Sequence, residues 1–266
     1  MKKLFFSHIP KTAGNTIEEI VNEYAITNNS MDLVGEKYFR KLKKNPKYKK
    51  YYEYFLKKKF LNKLIDYQDK THWNINIWHL PLSYWKDDIL MEYKKKYIIF
   101  CVIRNPYERA VSDFKFWIKF YNEMKKGKLN SYFKNLLKEI EDIYDHDLSV
   151  TTKNLNRMMK KLYSSKKYKY ALDGHLIPQY EYIYTIIKGN LVKIPNVTIR
   201  IENIEKEFNE FKNSVGLPIS NSKIMETHKN PTVSNVNIGS LTEESKKIIY
   251  KYYKLDFKIL RYRSNI

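Results

Sequence analysis

The chain is poor in the residues that cross-link and punctuate small proteins: 1 cysteine, 7 glycines and 8 prolines in 266 residues. A single thiol excludes an intrachain disulfide and any cysteine-rich zinc or redox centre. Cys101, inside an apolar run, reads as a buried, inert group. No Cys/His cluster has metal-ligand spacing, so no metal is expected. No linker rich in glycine or proline divides the sequence and no internal repeat runs through it, which predicts one domain over 1–266. No window approaches 18 consecutive apolar residues, and Met1-Lys2-Lys3 leads straight into a strand pattern rather than a cleavable leader. The expectation is a soluble, cytoplasmic protein without a transmembrane anchor.

Positive charge is abundant, at +21 formally. Lysine supplies nearly all of it, 43 against 7 arginines, alongside many Asn, Ile and Tyr, the composition of a strongly AT-rich coding sequence. The total is therefore a weak guide to partners, and no specific nucleic acid is expected. Position says more. Residues 36–63 hold 12 Lys or Arg against Glu36 and Glu53, interleaved with Tyr48, Tyr51, Tyr52, Tyr54, Phe55 and Phe60. This reads as a basic helical insert over about 36–67, either a surface helix with snorkelling lysines or a face for an anionic polymer. A hydrophobic content of 43% is enough for an α/β core of ordinary size.

Two short segments carry the chemistry. In the first, the apolar run Leu4-Phe5-Phe6 ends in His8-Ile9-Pro10-Lys11-Thr12-Ala13-Gly14-Asn15-Thr16, and an amphipathic helix follows with Glu18 and Glu19 in its first turn. A strand, a lysine-bearing turn and a helix start aim backbone N–H groups and the positive end of a helix dipole at one point, where an anion sits. Lys11 adds a full charge, and Thr12 and Thr16 add hydroxyls. This is not an ATP-type loop, because Lys11 precedes Gly14 by three residues instead of following the last glycine. In the second segment, Cys101-Val102-Ile103-Arg104-Asn105-Pro106 ends a strand in a turn, and Ser112 falls on the second turn of the next helix. Arg104 and Ser112 suit one phosphate, by a charge-assisted fork and a hydroxyl.

Together these segments resemble the sulfotransferases that use 3′-phosphoadenosine 5′-phosphosulfate (PAPS), most closely the carbohydrate branch that includes heparan sulfate 2-O-sulfotransferase. The resemblance implies that Lys11, Thr12, Ala13, Gly14, Asn15 and Thr16 bind the 5′-phosphosulfate and that Arg104 and Ser112 bind the 3′-phosphate. It also implies a catalytic histidine at His79, where Ile77-Trp78-His79 stands for the His-x-His of the heparan 2-O enzymes. His8 occupies a place where those enzymes have an Arg that touches the acceptor. Arg200-Ile201-Glu202-Asn203-Ile204 is similar to a strand-to-helix segment of the family. Thr227-His228-Lys229-Asn230-Pro231-Thr232 resembles its nucleotide-covering loop, with Lys229 a further 3′-phosphate ligand. His175 and Gln179, in Asp173-Gly174-His175-Leu176-Ile177-Pro178-Gln179, are expected at the acceptor, His175 also being a rival base.

Strand and helix signals alternate. Strands are predicted at Lys3–His8, Asn74–Trp78, Lys96–Ile103 and Val197–Ile201, with a further one at Tyr180–Lys188. Helices are predicted at Thr16–Tyr24, Asp87–Lys94, Tyr107–Lys126, Ser131–Tyr144, Thr151–Leu162, Glu205–Val215 and Thr242–Tyr253, with a polar loop at Lys166–Tyr170. This order predicts a three-layer α/β fold: a central parallel sheet, helices on both faces and a P-loop-like phosphosulfate loop, with Lys11, His79 and Arg104 at one edge. The expected reaction is in-line transfer of a sulfuryl group from PAPS to an acceptor hydroxyl, on a glycan of anionic character, leaving 3′,5′-ADP. Lys11 neutralises the leaving oxygen, and His79 accepts the hydroxyl proton. The competing readings are an ATP-dependent kinase on a similar scaffold and a non-catalytic basic module that binds polyanions or nucleic acid.

Overall fold

A computed structural model describes residues 3–14, 16, 17, 19–21, 79–127, 131–145, 147–219 and 235–264. The basic insert at 36–67, the strand expected at Asn74–Trp78, Asn15 and the loop carrying Lys229 lie outside the described residues. The chain packs as two compact units, each assembled from two stretches: Met1–Arg104 with Gln179–Pro231, and Asn105–Pro178 with Thr232–Ile266.

The first unit is built on a parallel sheet of three strands, β1 (Lys3–Ser7), β2 (Tyr97–Ile103) and β5 (Val197–Arg200), in the order β1-β2-β5. Phe5 pairs with Ile99, Ser7 with Cys101 and Ile103 with Arg200, so all three strands end on one edge. Both faces are apolar, as buried parallel strands require. Leu4, Phe6, Phe100, Val102 and Ile199 point to one face, against Ile17 and Ile20 of the helical segment after β1 and Phe208 and Phe211 of α5 (Ile204–Val215). Phe5 and Ile99 point to the other. There they meet Leu90 of α1 (Asp87–Lys96) together with Leu82, Trp85 and Ile194. Helix α5 stops where expected, at Gly216, whose φ of 68° is the left-handed value that glycine adopts without strain.

One strand expectation is corrected. Residues 180–188 do not form a single strand: Gln179–Tyr182 is a 3₁₀ turn, and only Tyr184–Ile187 (β3) is extended. β3 pairs antiparallel with Asn190–Lys193 (β4), a strand the sequence pattern did not reveal. The reason is the Lys188-Gly189 turn, with φ of 50° and 79°, which folds the chain straight back instead of feeding a crossover.

The second unit is helical. Helix α2 (Pro106–Met124) opens on Asn105, whose side chain accepts the Tyr107 N–H at 2.9 Å, with Pro106 in the first helical position. Its buried stripe, Tyr107, Ala110, Val111, Phe114, Trp117, Ile118 and Tyr121, packs on α3 (Ser131–Tyr144), α4 (Thr152–Tyr163) and α6 (Glu243–Tyr252). Thr151 and Thr242 cap α4 and α6 through their hydroxyls. The expected loop at 166–170 begins as a 3₁₀ turn, Lys166–Tyr168, capped by Ser165. A short helix, α7 (Lys254–Ile259), follows α6 and was not anticipated.

Candidate active site

The sheet edge where β1 and β2 end gathers the chemistry of the first unit. Past Ser7 the chain turns through Lys11 and Ala13, both in the left-handed region at φ 66° and 69°. Each such non-glycine residue costs about 1–2 kcal/mol, and strain of this kind persists where surrounding contacts over-determine it. Those contacts are present. The Thr12 hydroxyl, fully buried, donates to the Ile9 carbonyl at 2.8 Å and closes the turn. The Ile17 N–H donates to the Ala13 carbonyl at 3.0 Å, the first helical bond after the turn. That bond opens the helical segment after β1, whose start carries the positive end of its dipole.

Gly14 permits a close approach that no other residue allows. A Cβ there would stand 1.9 Å from Nε2 of His8, so the imidazole lies directly on the glycine Cα. His8 also stacks on Phe6, with ring centroids 5.6 Å apart, and meets His79 edge-on at 5.0 Å. Both histidines are buried. Arg104, at the end of β2, sends Nη1 to the Lys11 carbonyl at 3.5 Å. His8, Lys11, Thr12, Gly14, His79 and Arg104 thus share one neighbourhood.

Gln179, fully buried, holds this edge together. Its Oε1 accepts the Arg104 N–H at 2.9 Å and its Nε2 donates to the Arg104 carbonyl at 2.7 Å, so a side-chain amide imitates a strand neighbour. Two residues further on in the same 3₁₀ turn, the Glu181 carboxylate accepts the Tyr84 hydroxyl at 2.5 Å. The Tyr182 hydroxyl donates to the His79 carbonyl at 2.9 Å. One turn thereby positions Arg104, His79 and Tyr84.

Ser112 and His175 belong to the second unit. Ser112 is half-buried on the second turn of α2. His175 is deeply buried: its Nδ1 lies 2.6 Å from Oδ1 of Asp113, and its ring packs on Phe116 and Trp117. Arg109 donates to the carbonyls of His175 at 2.7 Å and Ile177 at 3.0 Å. These bonds hold the chain just after Leu172, Asp173 and Gly174, three consecutive left-handed residues. Burial pushes the Cys101 thiol up to about 12, in keeping with an inert core group. Among the described residues, no three His, Cys, Asp or Glu side chains are grouped to hold a metal ion. No helix among them is long and apolar enough to cross a membrane.

A model of the sulfotransferase family matches residues 1–263. The chain belongs to that family. Comparison with curated proteins returned no match, nor did comparison with solved structures. Membership accounts for an edge rich in cations and N–H donors, since a sulfotransferase moves an anionic group from an anionic donor to a hydroxyl. The sequence motifs did not single out Asp113, Arg109, Glu181 or Tyr182 in this sulfotransferase. Their partners lie 62 to 103 residues away, beyond the reach of any local pattern.

Proposed function

We propose that the protein transfers a sulfuryl group from PAPS to a hydroxyl of a carbohydrate acceptor and releases 3′,5′-ADP. The observation that carries this reading is the convergence of Lys11, Arg104 and His79 around the ends of β1 and β2, with Lys11 bonded through its carbonyl to Arg104 and His79 in ring contact with His8. The donor set fits the co-substrate. Phosphate and sulfate oxygens call for N–H groups and cations, and the helix start after β1, Lys11 and Arg104 supply them. Ser112, Lys229, Asn15 and Thr16 complete the donor contacts in this reading.

The acceptor oxygen forms its bond to sulfur as the bond between sulfur and the bridging oxygen breaks. His79 takes the hydroxyl proton, and Lys11 stabilises the charge that develops on the departing phosphate. As in phosphoryl transfer, positioning and charge neutralisation supply most of the rate. His8 is assigned to the acceptor side of His79. The test is calorimetric titration with 3′,5′-ADP, with AMP and ATP-Mg²⁺ as controls, on the wild type and Arg104→Ala. A preference for 3′,5′-ADP that the substitution abolishes supports the donor site. Preference for ATP-Mg²⁺ points to a kinase, and binding of polyanions with steep salt dependence but no nucleotide preference points to a basic module.

A further inference from the structure

Lys11 and Ala13 are half-buried, but Thr12 between them is fully buried, and its hydroxyl proton is committed inward to the Ile9 carbonyl at 2.8 Å. A hydroxyl so placed cannot reach a ligand arriving from solvent while the loop keeps this shape. The expected role of Thr12, a hydroxyl offered to the bound anion, does not match that arrangement. What the bond does instead is visible in the backbone on either side. Pro10 and Lys11 form a turn, and a positive φ just after proline in a turn is ordinarily the place of glycine or asparagine. Here it is held by lysine, at 66°, and two residues on by alanine, at 69°. Left to itself, either residue returns to the right-handed or extended regions, which favour it by a factor of about 5–30. The Ile9–Thr12 bond spans Lys11 and adjoins Ala13, so it opposes that return at both positions. The same turn sets the Lys11 carbonyl that Arg104 meets through Nη1 at 3.5 Å.

Resting on the sulfotransferase reading, we propose that Thr12 is a positioning residue for the donor. Its inward hydrogen bond keeps Lys11 and Ala13 left-handed, and the donor binds the loop so held without touching the Thr12 hydroxyl. Strained backbone persists at ligand clamps because a loop already in its bound shape spares the complex the cost of ordering it. The size of the effect follows from populations, since apparent affinity falls in proportion to the fraction of protein in the competent conformation. Without the bond, relaxation of one left-handed residue leaves about one molecule in 5–30 competent.

The experiment is calorimetric titration of the full chain with 3′,5′-ADP, on the wild type, Thr12→Ser, Thr12→Val, Ala13→Gly and Thr12→Val/Ala13→Gly. Serine keeps the hydroxyl and is expected to bind nearly as the wild type does. Valine keeps the shape but loses the bond, and is expected to bind about 5–30-fold more weakly. In the valine background Ala13→Gly is expected to recover affinity, and by more than it changes the wild type, because glycine adopts a positive φ without steric cost. A hydroxyl that acted by touching the ligand could not be replaced by a change at the next residue. Valine binding as tightly as the wild type, or a loss that Ala13→Gly leaves unaltered, overturns the proposal. Proton NMR of the wild type tests it without any substitution. The Thr12 hydroxyl proton is expected to exchange slowly before and after 3′,5′-ADP is added. Rapid exchange in the free protein, or a coupling of that proton to the ligand's phosphorus, overturns the proposal while the donor site stands. Failure of the wild type to bind 3′,5′-ADP overturns the sulfotransferase reading itself.

Discussion

Gly14→Ala tests the packing at the centre of the candidate site. Alanine is the better helix former, and Gly14 lies in helical backbone, so propensity alone makes this substitution stabilising by up to about 1 kcal/mol. The geometry opposes it. The added Cβ would meet three atoms of the His8 ring, at 1.9, 2.4 and 2.5 Å, and ordinary contact begins near 3.4 Å, so the imidazole must retreat by about 1.5 Å. It has little room to do so, because Phe6 stacks on it and His79 abuts its edge. Overpacking of this kind costs about 1–3 kcal/mol, which leaves a net loss of up to about 2 kcal/mol after the propensity gain. His8→Ala removes the obstacle. In that background Gly14→Ala is expected to be neutral or stabilising, giving a coupling of about 1–3 kcal/mol in a double-mutant cycle. Urea unfolding of the four proteins measures it. Additivity within about 0.3–0.5 kcal/mol would refute the proposed contact.

Four further outcomes are expected. Tyr182→Phe removes the donor to the His79 carbonyl and should lower kcat by about 10- to 100-fold through misplacement of the imidazole, with 3′,5′-ADP affinity unchanged in calorimetry. Gln179→Ala strips Arg104 of both backbone partners; at about 1–3 kcal/mol per unsatisfied group it should be severely destabilising, seen as a lower urea midpoint with an unchanged slope. Glu139 is held above its ordinary 4.5 by burial, with the Leu172 N–H opposing and Asp173 adding. A carboxyl that resists ionisation in the fold makes stability fall as pH rises past the unfolded value, so Glu139→Gln should melt higher than wild type at pH 7, the difference vanishing below pH 4.5. Cys101, fully buried, should resist alkylation at pH 8 in the native protein and react only on unfolding.

What the sequence discloses and what it hides divide along sequence distance. The turn after β1 and the Asn105-Pro106 start of α2 are legible because strand, turn and cap lie within a dozen residues and each has its own chemistry. The same holds for the Thr242 cap and the Gly216 stop. The β3–β4 hairpin is hidden by a run of apolar residues that Lys188-Gly189 interrupts only briefly. At the candidate site, the convergence of Lys11 and Arg104 follows from β1 and β2 being parallel neighbours that end on one edge, which alternation of elements already implies, whereas His79 joins them through its ring contact with His8. The use of Gln179 is not implied. Nothing in its neighbourhood says that its amide will serve the backbone of Arg104, 75 residues earlier, and the pairing of Asp113 with His175 is equally silent.

The Gln179 amide bonds also determine where the chain departs and returns. The first unit gives up the chain after Arg104 and resumes it at Gln179, and those two residues are hydrogen-bonded to each other. The stretch from Asn105 to Pro178 thus leaves and re-enters the first unit at that hydrogen-bonded pair. The entropy of closing such a loop grows only with the logarithm of its length, about 0.6 kcal/mol per doubling. Lengthening or shortening an exposed loop within that stretch therefore places little further demand on the Arg104–Gln179 pair that closes it.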